Sequence, residues 1–398
     1  MGGIGKTTLA QLVCNDANVS SHFNLKAWAC VSDVFDVQRI TKTLVESVTK
    51  ASCSINNFEL LQEELRKQLK GRKFLFVLDD VWNEKYESWD KLKVPFEVGA
   101  PGSKIIITTR SEKVASLMGT VPTYPLKGLS ESDCWLLFEQ IVFRSRNLDA
   151  YPKLKVIGKK IVEKCKGLPL AAKALGGLLR AEPEPDENYW NDILNSKIWK
   201  LADNNILPAL RLSYHHLPEH LKRCFAYCSM FPKDYEYERE MLIMLWMAEG
   251  FVPEPEGDQR IEDAAGRYVL DLLSRSFFQQ YTNDKSLLVM HDLIHDLAQS
   301  VSGKTFVRLE ENTENHNEST KARHLSYTRG SDDVFQKFEA FNQVDCLRTF
   351  LPLAPLQGFR ESSLTDKVPH DMIPNLRFLR VLSFSGYLIE KLPDAIAS

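Results

Sequence analysis

No stretch of the chain approaches the roughly 18 consecutive apolar residues of a membrane-spanning helix. The opening residues, Met1-Gly2-Gly3-Ile4-Gly5-Lys6, lack the apolar core of a secretory signal. A myristoylation signal needs Ser or Thr at the sixth place, where Lys6 stands. None of the eight cysteines (14, 30, 53, 134, 165, 224, 228 and 346) belongs to a CxxC pair, which argues against zinc ribbons and redox motifs. A dominant charge is missing too: 50 Lys and Arg face 53 Asp and Glu, a net charge of -3, so no global field draws the chain to nucleic acid or anionic lipid. The signature of disorder is also absent, with 44% hydrophobic and 26% charged residues. The expectation is a soluble, cytoplasmic chain with reduced, buried thiols and no membrane span. The 398 residues leave room for roughly two to three domains.

What is present begins at once. Gly2-Gly3-Ile4-Gly5-Lys6-Thr7-Thr8 runs into Leu9, Leu12 and Val13, an apolar stripe at helical spacing. A glycine-rich turn opening a helix lets backbone N–H groups approach phosphate oxygens, while a lysine reaches the outer phosphates and a hydroxyl binds magnesium. Lys6 and Thr7 stand where those two roles require them. The full phosphate-loop pattern starts with one more glycine, which would fall just before Met1, and it follows a strand. The sequence therefore predicts a parallel sheet whose first strand is missing, in a fragment truncated at both ends. Unpaired ladder groups and a poorly anchored loop are expected to weaken binding.

Phe74-Leu75-Phe76-Val77-Leu78-Asp79-Asp80 is a short apolar run ending in two carboxylates, the pattern of a strand buried on both faces. Ligands in open α/β sheets bind at the carboxyl ends of such strands. Asp79 is placed to hold magnesium and Asp80 to orient or deprotonate a water. The alternative is an acidic pair that caps the next loop. A further apolar strand, Ser103 to Thr109, ends at Arg110, which can reach a γ-phosphate or can be an ordinary surface arginine.

The order of further motifs is specific. Phe23 to Ser32 with Trp28, Leu78-Asp79-Asp80-Val81-Trp82, Thr108-Thr109-Arg110, Gly167-Leu168-Pro169-Leu170-Ala171, Cys224-Phe225-Ala226-Tyr227-Cys228 and Met290-His291-Asp292 occur as they do in the NB-ARC domains of plant resistance proteins. The chain resembles that family, in its coiled-coil rather than TIR branch. The resemblance implies that Gly3, Gly5, Lys6, Thr7 and Thr8 cradle the phosphates of ATP or ADP and that Thr7 and Asp79 serve Mg2+. It also implies Asp80 at the hydrolytic water, Arg110 at the γ-phosphate, Pro169 near the adenine and His291 at the β-phosphate of ADP. In the family a compact ADP form rests and an open ATP form signals. A pathogen effector or guarded host protein, met through absent repeats, and self-association on activation are the implied partners.

Residue patterns keep simpler readings beside these. Pro169 suits the first position of any helix. His291 and His295 share a helix face like the HExxH zinc motif, but Asp292 replaces the glutamate and no third ligand is apparent, so His295 is expected to be an ordinary polar position.

The implied architecture is an α/β P-loop NTPase domain over 1–125, a helical subdomain over 126–202, a winged helix over 203–309, then a linker and the start of a leucine-rich-repeat solenoid over 310–398. Phe58, Leu61, Leu65 and Leu69 mark one helix face before the acidic strand. Ser130 with Asp133 forms a weak capping pair, Glu182 to Asp186 reads as a loop, and Glu310 to Thr320 reads as a linker. Residues 217–303 hold eight Lys or Arg against fifteen Asp or Glu, so this winged helix is expected to repel DNA and act as a lever. Leu376, Leu379, Leu382, Phe384, Ile389 and Leu392 approximate one repeat, with Tyr387 where Asn or Cys is usual, and a lone repeat is expected to be frayed or incompletely buried. Three functional readings stay open: a slow-hydrolysing nucleotide switch, an ATPase whose turnover is the function, and a nucleotide-free scaffold or remnant.

Overall fold

A computed structural model describes residues 1–31, 35–144, 150–181, 186–200, 207–255, 257–281, 284, 286–309, 321–342, 344–354, 362–389 and 391. The chain divides into two compact units: Met1–Ser130 with Lys166–Leu170, and Glu131–Cys165 with Ala171–Ser398. Ser32, the 182–185 loop, the 310–320 linker and Leu392 lie outside the described residues.

In the first unit α1 (Lys6–Asn15) and α2 (Ala17–His22) precede β1 (Leu25–Cys30), and α3 (Val37–Thr49) and α4 (Phe58–Leu69) lead to β2 (Phe74–Asp79). Then α5 (Tyr86–Lys93) leads to β3 (Lys104–Ile107) and α6 (Glu112–Met118). The helices start where side chains can cap them: Asp36 accepts from the N–H groups of Gln38 and Arg39, and Asn57 from that of Leu60. The predicted α4 stripe is real, with Leu61, Leu65 and Leu69 fully buried against Ile40, Leu44, Phe76 and Leu78. Each such leucine contributes roughly 1.5–3 kcal/mol of burial free energy.

The three strands form a parallel sheet in the order β1-β2-β3. Every residue of the central β2 is buried, which is why its sequence is apolar without alternation. Phe76 is the register partner of Ala27 on one side and of Ile105 on the other. The expected gap in the ladder is therefore corrected: β2 is paired along both edges. An unpaired edge inside a core costs about a hydrogen bond per group, and direct pairing with β3 removes that cost.

The second unit opens with α7 (Glu131–Val142), α8 (Pro152–Lys164), the continuation of α9 (Pro169–Arg180) and α10 (Glu187–Asn195). Phe138 meets Trp190 edge-to-face at 6.1 Å in their core. Next come α11 (Pro208–His215), α12 (Glu219–Tyr227), β4 (Tyr237–Glu238), α13 (Arg239–Ala248), α14 (Ile261–Ser274), β5 (Gln279–Gln280), β6 (Leu287–Val289) and α15 (Asp292–Ser302). The strands β4-β6-β5 make a small antiparallel sheet among these helices, the form of a winged helix.

The last part departs from expectation. β7 (Phe306–Leu309), inside the range assigned from sequence to the winged helix, pairs with β8 (His324–Thr328). After the short β9 (Asp332–Asp333) come β10 (Thr349–Leu353), β11 (Ser363–Leu364) and β12 (Val381–Leu382). The main sheet is parallel in the order β12-β10-β8-β7, and β9 pairs separately with β11. Leu325, Tyr327, Phe338, Phe350, Val368 and Met372 form a buried core beneath it. Of the spaced residues, Leu376 is buried, while Leu379, Leu382, Phe384 and Ile389 are partly buried against that core.

Candidate functional site

The phosphate-loop residues form a turn that only glycine makes without strain. Gly3 (φ 71°) and Gly5 (φ 100°) are both left-handed, and Gly5 N-caps α1 with its carbonyl, which accepts from Leu9 N–H at 2.9 Å. No side chain caps this helix start. A Cβ on Gly5 would meet nothing within 4 Å, whereas one on Gly3 would lie 2.9 Å from Leu170 Cβ. Leu170 N–H donates to Gly3 O at 3.3 Å, so the Pro169-Leu170 turn docks on the loop, with Pro169 as the first residue of α9. Lys6 Nζ donates to Met1 O at 2.9 Å. Burial first, then the charges of Lys6 and Arg110, holds the Met1 amino group below its ordinary value, so both cations act on the same corner of the unit.

The twin carboxylates end β2 beside this loop and diverge in environment. Asp79, buried, accepts from the Thr7 hydroxyl at 3.1 Å and from the Thr108 hydroxyl through the same Oδ1. Thr7 itself is exposed, so the hydroxyl–carboxylate pair stands at the surface end of the sheet. Asp80 turns out of the strand at φ 53°, with its N–H donating to Thr108 Oγ1 at 2.9 Å. Its Oδ2 accepts from Trp82 Nε1 at 2.9 Å, and its Oδ1 lies 3.8 Å from Arg110 Nε. The Arg110 guanidinium also lies over the Trp82 ring, 4.9 Å from its centroid.

Gly3, Gly5, Lys6, Thr7, Asp79, Asp80, Arg110 and Pro169 thus all lie in the first unit. Thr8 is exposed on the first turn of α1. His291 belongs to the second unit, where it N-caps α15 with Nδ1 accepting from Leu293 N–H at 3.1 Å. His295 is not an ordinary polar position: it is 1% exposed, and its Nε2 donates to Phe231 O at 2.8 Å. A carbonyl can only accept, so the proton sits on Nε2, and burial above all lowers the pKa of this imidazole.

Thr108, Trp82 and Leu170 are the residues that sequence reasoning left without a role. The available signal for Thr108 was a hydroxyl at the carboxyl end of a β-branched strand that neighbours the acidic one. Nothing local announces that Leu170 needs Gly3 to lack a side chain.

A glycine turn, an uncapped helix start, two converging cations and a hydroxyl beside a buried carboxylate fit a metal-bound polyphosphate. Comparison with known proteins agrees with that chemistry. Residues 1–148 match the NB-ARC domain, and residues 230–298 match the disease resistance protein winged helix domain. The chain thus carries an NB-ARC domain and a disease-resistance winged helix domain. An RPP13-like disease resistance protein of Arabidopsis thaliana is 45% identical over 99% of this chain and 37% of its own length. The disease resistance protein RGA2 of Solanum bulbocastanum is 45% identical over 89% of this chain and 36% of its own. The chain thus spans little more than a third of those curated relatives. A solved Pyrococcus horikoshii structure, described as a Signal Transduction ATPase with Numerous Domains protein with a tetratricopeptide repeat sensor, covers 76% of this chain and 39% of its own. Its 19% identity and TM-score of 0.43 are too low to bear on the site. The NB-ARC match implies nucleotide binding. Among the described residues no helix is long and apolar enough to cross a membrane.

Proposed function

We propose that this chain is the nucleotide-switch portion of a plant immune receptor that holds ADP at rest and ATP when signalling. In this reading the amides of the Gly3–Thr8 turn and Lys6 hold the phosphates, and Thr7 and Asp79 hold Mg2+, which neutralises phosphate charge when bound. Arg110 reads the γ-phosphate, Pro169 packs near the adenine, and His291 contacts the β-phosphate of ADP. Hydrolysis is slow and resets the switch, with Asp80 nearest the water. The observation that carries the reading is the 3.1 Å contact between Thr7 Oγ1 and Asp79 Oδ1 beside a left-handed glycine turn. It brings together two magnesium-ligand types from positions 72 residues apart.

The relatives' names, disease resistance proteins, support a defence role. A pathogen effector or guarded host protein, self-association on activation and a cytoplasmic location complete the proposal. Acidic residues outnumber basic ones almost two to one across 217–303, which favours a lever over a DNA reader for the winged helix.

The test is nucleotide binding by the purified chain: release and identify what it carries, then titrate ADP with Mg2+ into wild type and Lys6→Ala. Loss of a charge-assisted phosphate contact in a closed site is expected to weaken binding about 100-fold. Equal affinity in the two proteins overturns the site assignment. His291→Ala is expected to weaken ADP more than ATP, read by the same titrations.

A further inference from the structure

The carboxylate of Asp80 is held as a counter-ion by two side chains. Here the Trp82 indole N–H occupies Oδ2 at 2.9 Å, and Arg110 stands 3.8 Å from Oδ1. Both side chains are mostly buried, 16% exposed for Arg110 and 18% for Asp80, so the pair is shielded more than a surface salt bridge. Trp82 engages both partners at once, its edge donating to the carboxylate and its face taking the guanidinium at 4.9 Å. The backbone fixes the triangle from below. Asp80 N–H donates to Thr108 Oγ1 at 2.9 Å, Val81 N–H to Thr108 O at 2.9 Å, and Thr109 Oγ1 to Val81 O at 2.6 Å. Asp79, by contrast, accepts from two hydroxyls.

We infer that Trp82 is a positioning residue that clamps Asp80 against Arg110, so that Asp80 also serves as the resting counter-ion of the phosphate-sensing arginine. The inference rests on the nucleotide-switch reading and deepens it. A nucleoside triphosphate must draw Arg110 away from Asp80 before the guanidinium can pair with the terminal phosphate, whereas a diphosphate leaves the pair intact. The clamp therefore biases the unit toward diphosphate, and its strength sets how much. The indole supplies what no other side chain combines: a ring N–H donor in the plane and a large π face perpendicular to it.

The experiment is a double-mutant cycle on binding, using the full chain and titrating ADP and a non-hydrolysable ATP analogue with Mg2+ into each variant. Asp80→Asn keeps an acceptor for Trp82 Nε1 but removes the charge that competes for Arg110. It is expected to raise the analogue-to-ADP affinity ratio roughly tenfold, a usual size for coupling between groups in one network. Trp82→Phe keeps a π face, loses the N–H, and is expected to shift the ratio the same way by about threefold. In the Asp80→Asn background the Trp82→Phe shift is expected to vanish, because Trp82 acts through Asp80. A shift that persists unchanged there marks Trp82 as mere packing and overturns the inference. So does an Asp80→Asn protein whose hydrolysis falls while its affinity ratio stays at the wild-type value. If Trp82→Phe does not fold, Arg110→Lys replaces it in the cycle, since it keeps the charge and loses the flat guanidinium that stacks on the ring. Failure of wild type to bind either nucleotide sinks the switch reading itself, a result distinct from binding with an unmoved ratio.

Discussion

Two carboxylate clusters, one in each unit, use the same residue types for opposite ends. In the first unit Asp79 is buried, but its Thr7 partner is exposed and the helix start beside it lacks a side-chain cap. In the second, Glu249 at the end of α13 has a fully buried side chain, accepting from Thr349 through Oε1 and facing His324 Nδ1 at 3.2 Å. Tyr227 closes the chain of hydroxyls at 3.2 Å from Thr349, and Phe306 stacks on His324 at 4.5 Å. Arg380 donates to Glu249 O at 2.6 Å, so one residue ties the winged helix to β8, β10 and the stretch before β12. The lesson lies in where each cluster opens. Polar groups at a surface with hydroxyls and uncapped amides are open to a ligand, whereas polar groups walled in by rings specify how two parts of a chain meet.

The comparison breaks most readily at Glu249. Glu249→Ala leaves Thr349 and His324 without their shared acceptor in a closed space, and is expected to cost about 3 kcal/mol in unfolding by denaturant. Its nucleotide affinity should equal that of wild type, and a large fall in affinity would blur the distinction between the clusters. Gly3→Ala comes next, at about 1–3 kcal/mol, because the new Cβ meets Leu170 in a left-handed backbone. Here affinity should fall along with stability, since the turn itself is the proposed ligand site. Thr108→Val is expected to cost only about 1 kcal/mol, the net worth of a hydrogen bond. Its signature should be in the Mg2+ dependence of ADP binding, because Asp79 keeps Thr7 but loses a second fixed donor.

The gentlest probe is pH, and it should act on the closed unit. His295 has a lowered pKa, chiefly from burial, so the unfolded chain takes up a proton that the folded chain refuses. The stability this residue contributes is whole above the unfolded value of about 6.5, and it is lost as pH falls from there through the folded value. His216 and His220 are also lowered, first by burial, and add to the same slope. Thermal melts between neutral and mildly acidic pH should show the decline, and His295→Gln should flatten it. A steeper slope in that variant would mean the imidazole is charged in the folded state.

Much of this was legible in the residues alone. The α4 stripe, the wholly apolar β2 and the glycine turn before α1 are local patterns, because backbone geometry and side-chain spacing act over a few residues. The order of motifs from Lys6 to Asp292 carried the resemblance to NB-ARC domains. The paired β2 edge, the sheet running from β7 to β12, the burial of His295 and the partners of Gly3 were not legible. Each depends on contacts between residues tens of positions apart, and no local spacing records them.

The sequence by itself determined which elements form and which chemistry the chain carries: a phosphate turn, two acids after a buried strand, and an arginine after the next. Only the tertiary structure decided what each acid does, since Asp79 and Asp80 are neighbours with the same side chain. One stays in the strand and meets two hydroxyls, while the other leaves it at a left-handed residue and meets an indole and a guanidinium. A carboxylate's role is set by the donors and charges around it, and those arrive from other strands and loops only when the chain has folded.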